Sequence, residues 1–118
     1  MKNSEILTAA AALITEGTWC RGYFAFDMDG EAANANDPKA VKWCLLGACC
    51  KIAGIERAYK FSSDLFGYIR DGIHAVDEEC GDLLNQISTW NDEQVSFKPV
   101  RDALLAAVEY AKQDEGHG

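Results

Sequence analysis

From Trp43 to Cys50 the chain reads WCLLGACC, two helical turns without a single charged residue. A helix of that composition has no face to give to water, so the rest of the chain has to wrap it. The flanks lengthen the segment. Asp37 supplies a side chain that accepts a free first-turn amide, and Pro38 suits the first helical position, where its missing N–H costs nothing. Gly54 readily enters the left-handed conformation that ends a helix. The sequence therefore predicts a buried central helix over residues 37–54, with Gly47 as the point where another helix or the Trp90 ring comes close.

A chain of 118 residues that is 48% hydrophobic suffices for one core and one domain. No apolar run reaches the roughly 18 residues of a membrane span. The opening MKNSEILTAAAALITEG carries Glu5 and Glu16 around its apolar stretch and reads as a helix of the mature protein, not a leader. Cysteine is present in an odd number, Cys49 and Cys50 are adjacent, and Cys20, Cys44 and Cys80 form no Cys-x-x-Cys pair. With histidine only at 74 and 117, neither a disulfide framework nor a zinc site is expected, and a reducing cytoplasm fits best.

The remaining elements follow from spacing. Asn3 or Ser4 can cap a first helix that runs to Gly17, with Ile6, Ala10, Leu13 and Ile14 on one stripe. The aromatic stretch after Gly17 suits an extended segment or ribbon over residues 18–30, turning at Asp29-Gly30, and residues 32–36 read as a loop. Ser62 or Ser63 caps the next helix. Phe66, Ile69, Ile73, Val76, Cys80, Leu83, Ile87 and Trp90 recur in steps of three and four, but Gly72, Gly81 and the acids at 77–79 favour two helices with a break near 77–81. Ser96 caps a last helix whose buried stripe is Val100, Leu104, Ala107, Val108 and Ala111, and residues 113–118 should fray. The expected fold is mainly α: one compact domain of four to five helices around the 37–54 helix, with a short ribbon near 18–30.

No motif specifies a reaction. A nucleophile at Cys44, Cys49 or Cys50 with His74 as base is formally available, but burial in so apolar a stretch raises a thiol pKa, so these cysteines read as packing. Asp27-Met28-Asp29-Gly30-Glu31 resembles a calcium loop only in part, because Ala25 and Asn36 stand at liganding positions. No metal or cofactor is expected. A pocket beside the central helix could gather Trp19, Arg21, Tyr23, Trp43, Trp90 and Asp92, which is where a small enzyme would carry its chemistry.

The net charge of −8 disfavours nucleic acid. Residues 71–94 hold seven acids, Asp71, Asp77, Glu78, Glu79, Asp82, Asp92 and Glu93, with no lysine or arginine. Such a run is either a solvated face or a surface aimed at a protein with a basic patch. A homo-oligomer pairing through the stripe from Phe66 to Trp90 is a third reading, so the chain is expected as monomer or homodimer.

The order Trp19-x-Arg21-Gly22, Asp29-Gly30, Ala40-Val41-x-Trp43-Cys44-Leu45-Leu46-Gly47-Ala48 and Trp90-Asn91-Asp92 resembles a family of small uncharacterised proteins found in bacteria and their phages. The likeness spans most of the chain and is carried best by WCLLGA and WND. It implies a small, mainly helical, cytoplasmic protein and no established reaction. Lys98-Pro99-Val100 departs from the family pattern, and the acids of 71–94 look particular to this chain. An origin on mobile genomes would suit an accessory protein that inhibits a host defence or nucleic-acid-handling protein through its acidic surface.

Overall fold

The computed structural model describes residues 1–56, 60–78 and 86–116, and among these it has five helices and one three-stranded sheet. Helix α1 spans Asn3–Leu13. Its cap residue is Lys2, one position before the expected caps, with the Glu5 carboxylate accepting the Lys2 amide at 2.8 Å. Ser4 is drawn inward instead: its hydroxyl and amide both donate to Glu115 near the far end of the chain. The helix stops at Leu13 and not Gly17, because Thr15 and Thr18 begin a turn of their own in which Thr18 Oγ1 accepts the Thr15 amide at 2.8 Å.

The expected ribbon is present. Strand β1 covers Ala25–Asp27 and β2 covers Ala32–Ala33, so part of the stretch expected as loop is strand. They are antiparallel neighbours, with Ala25 opposite Ala33. Asp27 makes the turn between them, its Oδ1 accepting the amides of Asp29 and Glu31 at 2.9 and 3.0 Å. Gly30, at φ +79°, takes the left-handed position that closes it.

The largest correction falls on the segment predicted as one central helix. Its first part is strand β3, Ala40–Trp43, on the other edge of β1, and only Leu45–Ala53 is helix α2. Asp37 does accept a nearby amide, from Lys39 at 2.9 Å, but the Ala40 amide then closes on the Asp37 carbonyl and makes a turn. Along the strand Ala40 and Trp43 are buried, Val41 is half-buried and Lys42 is exposed, a departure from strict alternation where the pairing with β1 shifts register between Phe26 and Asp27. The backbone of Trp43 is held from outside, its amide donating to the Thr18 carbonyl and its carbonyl accepting the Cys20 amide. A helix would have needed those two groups itself.

Cys44 caps α2 with its sulfur, which accepts the Gly47 amide at 3.3 Å. Leu45 through Cys50 are all buried, as expected for this uncharged run, and Gly54 ends the helix at φ +70°. Asn36 secures that end, its Nδ2 donating to the Ile55 carbonyl at 3.0 Å. The close neighbour of Gly47 is neither a helix nor Trp90. It is the ribbon: a Cβ on Gly47 would stand 2.0 Å from the Phe24 carbonyl oxygen.

Helix α3 spans Ser63–Val76, capped by the Ser62 hydroxyl, which accepts the Leu65 amide at 3.1 Å. It ends with Asp77 in a non-helical conformation, the first residue of the break expected over 77–81, and helix α4 covers Ile87–Glu93. Cys80, Gly81 and Leu83 lie outside the described residues. Helix α5, Lys98–Gly116, packs against both α3 and α1. Its first bond, Arg101 amide to Phe97 carbonyl, puts the cap at Phe97 and not at Ser96. Its buried stripe is the expected one with Ala103 added. Gly72 faces that stripe, since a Cβ there would meet the Ala103 carbonyl oxygen at 2.3 Å. Its helix-weakening character is offset by backbone approach. Where fraying was expected after Lys112 the helix continues to Gly116, with Asp114 accepting the Tyr68 hydroxyl at 2.8 Å and Glu115 holding Ser4. No helix among the described residues is long and apolar enough to cross a membrane.

Candidate functional site

Asn91 is fully buried, which is unusual for a neutral amide and requires that all its polar capacity be met. It is. Its Oδ1 accepts Trp19 Nε1 at 2.9 Å and the Leu45 amide at 3.2 Å, and its Nδ2 donates to the Cys20 carbonyl at 3.1 Å. One side chain on α4 thus joins the incoming ribbon to the first residue of α2. Asp92 continues the seam: its Oδ1 accepts the Gly22 amide at 2.8 Å and Asn91 Nδ2 at 3.2 Å. Trp90 secures the other side, donating from Nε1 to Asp77 Oδ2 at 2.9 Å and so fixing α4 against the end of α3. Each residue of the Trp90-Asn91-Asp92 stretch thus fastens a distant segment.

Against this clamp the ribbon leaves a broad, open depression of about 930 Å³, walled by Trp19, Arg21, Phe26, Met28 and Lys42, with Asp92 at its edge. Of the residues expected to converge on a pocket, Trp19, Arg21 and Asp92 do so. Tyr23 borders a smaller cleft beside Gly22 and Cys44. Trp43 and Trp90 are buried in the core, Trp43 donating from Nε1 to the Ala35 carbonyl at 3.0 Å. Val41, Lys42, Phe26 and Met28 belong to the depression too, and sequence reasoning missed them because it read 40–43 as helix, which left the ribbon without the strand that brings these side chains together.

Arg21 is held in a fixed pose. Nη1 donates to the Gln94 carbonyl at 2.9 Å, and the guanidinium lies 5.8 Å from the centre of the Trp19 ring, within cation–π reach. Trp19 in turn leans on Phe97, ring centres 6.1 Å apart. Lys42 is exposed on β3. Among the described residues the ion pairs are Arg70 with Asp71 and Lys98 with Asp102, so neither cation of the depression is matched by a carboxylate.

The acids divide by role. Asp77 and Asp92 hold Trp90 and Gly22, Asp71 lies 3.5 Å from Arg70, Glu78 and Glu93 are exposed, and Glu79 and Asp82 lie outside the described residues. Cys20, Cys44, Cys49 and Cys50 are free and buried. Burial pushes the Cys44 thiol up to about 11 and those of Cys20 and Cys50 up to about 12, and raises Cys49 as well. Free, buried and within the core cluster, these four thiols serve as packing side chains. No group of three or more His, Cys, Asp or Glu among the described residues is arranged to hold a metal ion.

Among the described residues, five helices and a three-stranded antiparallel sheet, with a buried asparagine joining α4 to the ribbon and α2, define a small α-rich domain with an open, aromatic-walled depression. Residues 1–110 match the model of the family described as "Family of unknown function (DUF6197)", and the chain belongs to that family. No curated protein and no solved structure matches it.

Proposed function

We propose that this is a non-enzymatic, protein-binding accessory protein whose contact face is the ribbon depression. One observation carries the reading. Apart from Met1, the most exposed large apolar side chains among the described residues are Val95, Met28 and Tyr23, at 93, 87 and 50% exposure. Met28 lines the depression, Tyr23 sits on the same ribbon with its ring 6.5 Å from Phe26, and Val95 follows the Gln94 carbonyl that holds Arg21. Exposed apolar side chains on and beside the ribbon of a protein with net charge −8 favour an interaction surface there. The alternative of a small enzyme working here is less well supported, because Asp92 already serves the Gly22 amide.

A photo-crosslinking residue placed at position 28, compared with the same residue at the exposed Leu105 on α5, tests this in cells of the source organism. A discrete protein adduct from position 28 and none from position 105 is the expected result. Equal or absent adducts would remove the reading.

A second reading is favoured by the bond from Trp90 to Asp77, which draws the acid-bearing end of α3 beside α4, so that Glu78 and Glu93 offer an acidic edge to a basic partner. The finer form of this reading is a phage or mobile-element protein that inhibits a host defence or nucleic-acid-handling protein in the cytoplasm. Reversal of Glu78 and Glu93 to lysine tests it without touching the clamp, and unchanged affinity for a captured partner would discard it.

A further inference from the structure

We propose that the depression binds an extended segment of a partner protein that alternates acidic and apolar side chains, with Arg21 as the carboxylate fork and Lys42 as the second cation. This rests on the depression being the contact face and adds the chemistry of its occupant.

Three features of the site lead there. Arg21 uses one N–H on the Gln94 carbonyl and lies over the Trp19 ring, which fixes the guanidinium plane while leaving its other donors open. A guanidinium already immobilised loses little freedom on pairing with a carboxylate, and that pairing is commonly bidentate. Lys42 brings a second unmatched cation from β3 into the same depression. The two carboxylates in the lining, Asp27 and Asp92, both accept backbone amides, Asp27 within its own turn and Asp92 from Gly22.

The same lining carries the apolar side chains of Trp19, Phe26, Val41 and Met28. Positive charge and apolar surface in one depression match a strand-like peptide that presents both acids and apolar groups to it. The open form of the depression suits a segment lying across it, whereas a small molecule is held in a site that encloses most of its surface. The net charge of −8 does not oppose this at physiological salt, where charges more than about 8 Å away are largely screened.

The test uses the full chain, labelled with nitrogen-15, titrated with a decapeptide of alternating Glu and Leu. Matched Lys–Leu and Ser–Leu decapeptides serve as controls. The expected result is saturable shifts of the Gly22, Met28 and Lys42 amides and the Trp19 indole N–H with the Glu–Leu peptide. Affinity should fall at least tenfold with Ser–Leu, and Lys–Leu should leave these signals in place. Arg21→Gln should weaken Glu–Leu binding by a similar factor. Because that variant also loses the bond to Gln94, Lys42→Gln provides a second arm, at an exposed side chain with no bond to lose, and should weaken binding severalfold. If Ser–Leu binds this face as well as Glu–Leu and neither variant matters, the acidic specificity is overturned while the contact face survives. If none of the peptides shifts this face, the inference is overturned, and the position 28 crosslink decides separately whether the face itself stands.

Discussion

Trp19 donates its indole N–H to Asn91 Oδ1 across 2.9 Å, joining residues 72 positions apart in the chain. The same oxygen accepts the Leu45 amide, and the amide nitrogen of Asn91 holds the Cys20 carbonyl. Replacing Asn91 by Ala leaves these three groups without that partner. Each buried group so orphaned costs about 1 to 3 kcal/mol, and with partial relaxation Asn91→Ala should lose about 3 kcal/mol or more in urea unfolding. A loss under about 1 kcal/mol would show that the clamp is dispensable.

The glycines should separate by what surrounds them. At Gly47 a Cβ would press on the Phe24 carbonyl and at Gly72 on that of Ala103, so alanine at either should lower stability by about 1 to 3 kcal/mol. Gly67 is also helical, but a Cβ there meets nothing nearer than Arg70 Nη2 at 3.9 Å. Gly67→Ala should raise stability by about 0.5 to 1 kcal/mol. Thermal melts of the three variants, read for opposite signs, check this.

The buried thiols make stability fall at high pH. Their ordinary pKa of 9.0 is raised in the folded state, to about 11 for Cys44 and about 12 for Cys20 and Cys50. The unfolded chain therefore releases protons first, and the contribution, complete below pH 9, is lost as pH rises towards 11 to 12. Urea midpoints measured at several pH values above 9 should decline more steeply than those of a Cys50→Ala variant. An aromatic disulfide reagent at pH 8 should label these four thiols slowly in the native protein and quickly in urea.

At the acid end, Ser4 holds the Glu115 carboxylate below its ordinary pKa, chiefly through the hydroxyl bond and then through the amide. A depressed acid contributes stability above its unfolded pKa and loses it as pH falls below that value. Stability should thus decline as pH drops below about 4.5, and Glu115→Gln should flatten that part of the profile. An unchanged profile would remove the contact between the chain's two ends from the account of acid stability.

Local chemistry made much of the frame legible. Ser62 as a cap, Gly54 as a helix end, the turn at Asp29-Gly30 and the stripe from Val100 to Ala111 each depend on residues within a few positions of one another, and each is present. The uncharged run from Trp43 to Cys50 is buried as its composition requires. Composition, however, states only that a stretch is inside, not by which period it gets there, and both a buried helix and a buried strand satisfy it.

The choice at Ala40–Trp43 was made by Thr18, Cys20 and β1, which take up its backbone groups from a distance in sequence. The three residues of Trp90-Asn91-Asp92 likewise become a clamp only when Asp77, Trp19, Leu45 and Gly22 arrive around them. By itself the sequence determined the Ser62 cap, the Gly54 helix end, the tight turn and what must be buried, because those rest on short-range sterics and solvation. Only the tertiary structure decided which polar groups meet and where an open face remains, because hydrogen-bond partners brought together across 46 to 72 residues leave no periodic trace in the chain.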